Sequence, residues 1–380
     1  MSSSSTTSVR VISDSALQIL RARGDDAPLR NGVRAVSNTS YLSESSIESK
    51  ETVMIPEASE SLETLVFVEF TPEIAQKIRD WYQQDLWLMP WKTGVVNYGE
   101  KHILSFDDNP SCHETDEQRY QVMDNMGILK GYQKRLMTEE FRQLRLTGTV
   151  QEWFMDTMHA RWEFLKSLDD VLADTLPVGT FRRPEPSAAT EIEEPPREVE
   201  GHTIFFKGAT MARFGQFLKD DGTLNFSALG STPPEDFDYF VRGLYLTKMC
   251  AVAWEYAQFA RKRYQEHVVP VGILQVTIPK PLMDSHYELF GNDWQRLVWH
   301  NRRMDGSLQE MEHLETVDWI IGPLCMQSNA HVQELNDLSE IETWRLESGE
   351  CATQVYTGSR GMLAKLNKEC VGKVWIAPVV

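Results

Sequence analysis

The sequence predicts an α+β protein in which a helical unit is followed by a mixed unit of strands and helices. Three observations carry this expectation. Residues 60–176 space their apolar side chains at a helical period, residues 202–380 alternate short β-branched or aromatic runs with helical stretches, and residues 177–201 between them are dense in proline and glutamate. A stretch of that last kind holds neither a helix nor a central strand, so it reads as an acidic linker. With 380 residues, 41% of them hydrophobic and 25% charged, the chain can bury at least one sizeable core.

Residues 1–58 are rich in serine and show no sustained apolar period, so they read as a disordered arm with one short helix over "ALQILRARG", residues 16–24. Helical signals begin at Thr71, a capping residue, with Pro72 at the first helical position and Ile74, Ile78 and Trp81 spaced behind it. Further on, Trp153, Phe154, Met158, Trp162 and Leu165 form an apolar stripe whose simplest role is packing between helices. The turn-rich segment before it holds His102 and the adjacent Cys112 and His113, a weak metal signal without a second pair. Beyond the linker, "TIFF", "GLYLTK", "VVPVGILQVTIP", "TVDWIIGPL", "TQVYTG" and "KVWIAPVV" read as strands. The helix bearing Trp254, Tyr256 and Phe259 is expected to pack against their sheet.

Charge and cysteine usage exclude several classes. A formal net charge of −18 repels phosphate backbones, and the only basic run is the short "ARKR" at 260–263, so no nucleic-acid partner is expected. No apolar run approaches the roughly 20 residues that span a bilayer, and the start of the chain lacks the apolar core of a secretory signal. A soluble, cytoplasmic protein without a membrane partner is the expectation. Five scattered cysteines with no CxxC pair read as reduced thiols, and the histidines show no zinc spacing.

One stretch asks for more. In "GHTIFFKGATMARFG", residues 201–215, an apolar strand runs straight into Lys207 and Gly208. An ammonium there is either an exposed strand end or part of a site. Taken in order, "FFKGAT", "GLYLTKMCAVAWEYAQFA", "DWIIGPL" and "TQVYTGSRGMLAKL" resemble the C-terminal half of the ADP-ribosyltransferase fold, nearest to a poorly characterised microbial and fungal group. The resemblance covers residues 203–380 and leaves the helical half aside. It implies a split β-sandwich with flanking helices and NAD or ADP-ribose as substrate or ligand. It places the first motif at Phe206, Lys207 and Gly208, where the family usually has a histidine bonded to the adenosine-side ribose. The second falls on Gly243 and Tyr245, whose ring would stack on nicotinamide, and the third on Gln354, where active members often carry glutamate. The five residues Phe206, Lys207, Gly208, Tyr245 and Gln354 are expected to meet at one cleft.

Those substitutions have physical consequences. Cleaving the nicotinamide–ribose bond builds positive charge, which a carboxylate stabilises and a neutral amide does not. Gln354 keeps hydrogen bonding to a ribose hydroxyl, and Lys207 adds a cation for a pyrophosphate, so binding outlasts chemistry. Replacing Gln354 by Glu would on this view restore turnover. Glu350 shares a strand face with Gln354 but falls in "SGEC", which reads as a turn. Each residue also has a plainer role: a solvated Lys207, a core Tyr245, a ladder-edge Gln354. Three readings stay open: a catalytically degenerate NAD or ADP-ribose binder, an active ADP-ribosyltransferase or NAD glycohydrolase, and a non-enzymatic scaffold for a protein partner.

Overall fold

The structure, a computed structural model, describes residues 9–42, 50–86, 94–106, 115–173, 196–219, 221–231, 235–238, 241–265, 267–303 and 309–379. Cys112, His113 and most of the 177–201 segment lie outside the described residues. The serine-rich start departs from expectation. Ser13 caps a helix, α1 (Asp14–Ala22), by accepting from the Ala16 amide at 3.2 Å, and Ala16, Leu17 and Leu20 are buried. Strands β1 (Leu29–Arg30), β2 (Val33–Ser37) and β3 (Thr52–Pro56) follow as an antiparallel sheet. The β1–β2 turn is Asn31–Gly32, with φ of 50° and 77°, the backbone that a two-residue hairpin loop needs. Serine content hid a period-2 strand, and the Asn-Gly pair was the signal that could have revealed it.

Helices α2 (Leu62–Phe67), α3 (Pro72–Leu86), α4 (Val95–Leu104), α5 (Asp116–Met126), α6 (Lys130–Leu136), α7 (Arg142–Arg145) and α8 (Val150–Ala173) build the helical half. On α8, Phe154, Met158 and Leu165 are buried and Trp153 and Trp162 are partly so, as the stripe predicts. A buried carboxylate organises this half: Glu69, held at φ 84°, accepts from Arg135 at 2.6 Å and Arg161 at 2.5 Å. Two guanidiniums on one carboxylate satisfy charges that burial would otherwise penalise.

The rest of the chain supplies β4 (His202–Thr210), α9 (Met211–Phe217), β5 (Leu244–Leu246), α10 (Cys250–Tyr264), β6 (Val271–Pro279), β7 (His286–Glu288), α11 (Gly291–Arg303), β8 (Trp319–Pro323), α12 (Asn329–Glu334), β9 (Thr353–Thr357), α13 (Arg360–Glu369) and β10 (Val374–Pro378). Two sheets form, ordered β10-β6-β4 and β5-β9-β8-β7. They share a core in which Phe205, Leu274, Val276 and Ile278 meet Leu244, Leu246, Trp319, Ile321 and Val355. Phe205 and Trp319 stack across it, 6.4 Å apart and 1° from parallel. The architecture is α+β, and α9 and α13 add Phe214, Phe217, Met362 and Leu366 to the same core.

The boundary drawn from composition does not separate two cores. Helix α10 buries Ala257, Phe259 and Tyr264 in the same cluster as Phe154 and Met158 of α8. Phe259 packs on Trp153 and Phe141 of the helical half, in a cluster that also holds Val271 and Ile273 of β6, while Trp254 is exposed and Tyr256 meets Trp344 edge-on. Polar contacts cross the same seam. Arg263 donates to Asp156 at 2.8 Å and Thr157 at 3.1 Å, Arg161 donates to the Tyr264 carbonyl at 3.1 Å, and Tyr41 donates to the His267 carbonyl at 2.8 Å. Helical spacing identified the apolar positions of α10, but periodicity does not say which of two neighbours a face will meet.

Candidate functional site at the split between the sheets

Strands β4, β5 and β9 come together where the two sheets part. The Phe206 amide donates to the Thr247 carbonyl at 2.7 Å and the Thr247 amide returns a bond at 3.0 Å, so the end of β5 is stitched to β4. On its other edge β5 pairs with β9 in the register Tyr245–Tyr356 and Leu246–Val355. Residues alternate across β4, so Phe206 and Gly208 face α10 while Lys207 points the other way, on the side of Phe205. There the Lys207 ammonium group donates to the Tyr245 carbonyl at 3.1 Å. The first two motif positions therefore touch.

The segment 235–238 lies on the motif strands and binds them with consecutive residues. Asp236, 2% exposed, accepts from Arg302 Nε at 2.7 Å on one oxygen, and from Gln354 Nε2 at 2.5 Å and the Cys325 amide at 3.0 Å on the other. The Phe237 amide donates to the Tyr245 hydroxyl at 3.1 Å, and Asp238 accepts from the Tyr356 hydroxyl at 2.7 Å. The Phe237 ring stacks near Tyr245 at 6.1 Å, and Tyr356 closes on Tyr245 at 4.7 Å. Tyr245 is 8% exposed and Gln354 5%. Both rings and amide are thus engaged by the chain itself, and burial pushes the Tyr245 phenol well above its ordinary pKa.

The glycines serve packing. A Cβ on Gly208 would come within 2.7 Å of the Ala253 carbonyl and 3.0 Å of Ala257, so this residue lets α10 lie close on β4. A Cβ on Gly243 would sit 2.0 Å from the Tyr356 ring. Gln354 donates its remaining bond to the Pro323 carbonyl at 3.1 Å, and Glu350 is exposed in the turn that precedes β9. The expectation that glutamate at position 354 would restore chemistry meets an obstacle here: it would set a carboxylate against Asp236, where the amide now donates.

Partly open groups remain beside these buried ones. Lys207 and Glu235 are neither fully buried nor exposed, and lie within electrostatic reach of each other. Desolvation, helped by Arg213 and Arg242, lowers the Lys207 ammonium to about 7, against a raising influence of Glu235. Desolvation raises the Glu235 carboxyl to about 8, opposed by Arg302 and supported by Asp236 and Glu152. A lysine and a carboxyl group displaced toward neutrality from opposite ends of the scale, both half-buried and within electrostatic reach, mark the chemically distinctive part of the molecule. Sequence reasoning passed over Glu235, Asp236, Phe237 and Arg302. The run of acidic residues just before "GLYLT" was the available signal, whereas nothing local ties Arg302 to it. Comparison of the chain with protein-family models, curated proteins and solved structures finds no match.

Proposed function

We propose that the chain is an ADP-ribosyltransferase-like protein that binds NAD or ADP-ribose at the corner of β4, β5 and β9, with weak or absent ADP-ribosyl transfer. The observation that favours this reading is the adjacency of the three strands that bear the motif residues, with Lys207 bonded to the Tyr245 backbone. Lys207 and Glu235, both half-buried, are the groups this reading offers to a ligand, while the side chains of Tyr245 and Gln354 are buried and engaged by residues 236–237. Weak chemistry follows from the third motif position. Gln354 spends its amide on Asp236 and Pro323, so it brings no charge to a cationic transition state.

The test uses the full chain. Calorimetric titration with NAD and with ADP-ribose is expected to show binding, and a nicotinamide-release assay is expected to show turnover far below the roughly 1 per second at the low end of ordinary enzymes. Binding of neither ligand would remove the reading. Release at an ordinary enzymatic rate would replace it by the active alternative.

A further inference from the structure

We infer that Lys207, Arg213 and Arg242 together form a receptor for a phosphate-class anion. The three cations come from β4, from α9 and from the residues leading into β5, and they are drawn together by backbone carbonyls rather than by carboxylates. Arg213 donates through Nε to the Ala228 carbonyl at 3.0 Å and through Nη2 to the Gly230 carbonyl. Arg242 donates through Nε to that same Gly230 carbonyl at 2.9 Å. Lys207 donates to the Tyr245 carbonyl, two residues beyond Gly243, whose own carbonyl accepts from the Ser231 amide at 2.8 Å.

Two guanidiniums converging on one carbonyl oxygen, with the Lys207 ammonium within electrostatic reach, repel one another, and each of Lys207 and Arg242 is less readily protonated for the presence of Arg213. In a chain with 56 acidic and 38 basic residues, such a gathering of cations runs against the overall charge. None of the three makes an ion pair with a carboxylate among the described residues. The carboxylates within electrostatic reach are Glu235, Asp156 and Glu163. Asp156 already serves Arg263 and the Tyr264 hydroxyl, and Glu235 sits in surroundings that favour its neutral form. Each guanidinium keeps unused N–H donors, since Arg213 spends two groups and Arg242 one. A tetrahedral dianion, which accepts from several such donors at once, satisfies them and cancels the repulsion. The inference stands on these cations and not on the dinucleotide; where both hold, this is the place of the diphosphate.

The probe is inorganic pyrophosphate, titrated calorimetrically into the full chain at low ionic strength, with NAD and ADP-ribose as parallel arms. Saturable pyrophosphate binding is expected, weakened at least about tenfold by Arg242→Glu, the factor that loss of one charge-assisted contact carries. Arg242 is exposed, so this variant should keep its fold, which its thermal transition reports; Lys207→Met gives a second variant with the arginines intact. No pyrophosphate binding by the wild-type chain, or equal binding by both variants, overturns the inference. Pyrophosphate binding without NAD or ADP-ribose binding supports it and removes the proposed function instead.

Discussion

Gln354 donates to Asp236 at 2.5 Å, and Asp236 in turn neutralises the buried Arg302 at 2.7 Å. The amide at position 354 therefore completes a buried ion pair. Gln354→Glu is expected to destabilise the protein by about 3–5 kcal/mol, the scale of a disrupted buried charge pair, without raising nicotinamide release. Combining it with Asp236→Asn should recover part of the loss, because the pair would again hold one amide and one carboxylate. Urea denaturation of the two single variants and the double variant measures the coupling. A single Gln354→Glu protein that is as stable as wild type and faster in release would refute this account of the residue.

The Lys207–Glu235 corner carries a pH signature. Glu235 titrates near 8 in the fold against 4.5 in the unfolded chain, so between these values the folded state holds the extra proton and stability falls as pH rises. Lys207 titrates near 7 against 10.5, so between those values the unfolded chain holds the extra proton and stability rises with pH. Together they put a minimum near pH 7–8, each limb no steeper than about 1.4 kcal/mol per pH unit. Thermal melts from pH 5 to 10 should show Glu235→Gln flattening the falling limb relative to wild type, and Lys207→Met the rising one.

Two glycines test close packing. Gly208→Ala would bring a methyl group against the Ala253 carbonyl of α10, and Gly243→Ala would drive one into the Tyr356 ring. Each is expected to cost about 1–3 kcal/mol, the range for overpacking. The tyrosine ring can turn and the α10 backbone cannot, so Gly208→Ala should cost the more. Chemical denaturation ranks the two, and the reverse order would place the rigid contact at Gly243.

The seam between the two halves predicts cooperative unfolding. Arg263, buried against Trp153 and Phe259, joins α10 to Asp156 of α8. Arg263→Ala should cost about 3 kcal/mol or more, because it removes a buried cation and its bonds across the seam. Circular dichroism and tryptophan fluorescence should report one coincident denaturation transition for the wild-type chain. Two separated transitions would mean that the halves stand alone after all.

Local signals were legible where a single element suffices to read them. Thr71 and Pro72 mark the start of α3, the stripe from Trp153 to Leu165 marks the inner face of α8, and "TIFF", "GLYL" and "TQVYT" mark β4, β5 and β9. Each depends on period, capping or β-propensity, which neighbouring residues determine. The Asn31–Gly32 hairpin was equally local and was obscured by the serines around it.

What only the tertiary structure decided are the partners. The face of α10 that carries Phe259 meets the helical half, the glycines at 208 and 243 make room for a helix and a ring, and Gln354 finds Asp236, more than a hundred residues away. The lowered lysine and raised carboxyl at Lys207 and Glu235 exist only because folding encloses both beside Arg213, Arg242 and Arg302. Desolvation and Coulomb energy depend on distance and enclosure in space, whereas a sequence records only order along the chain.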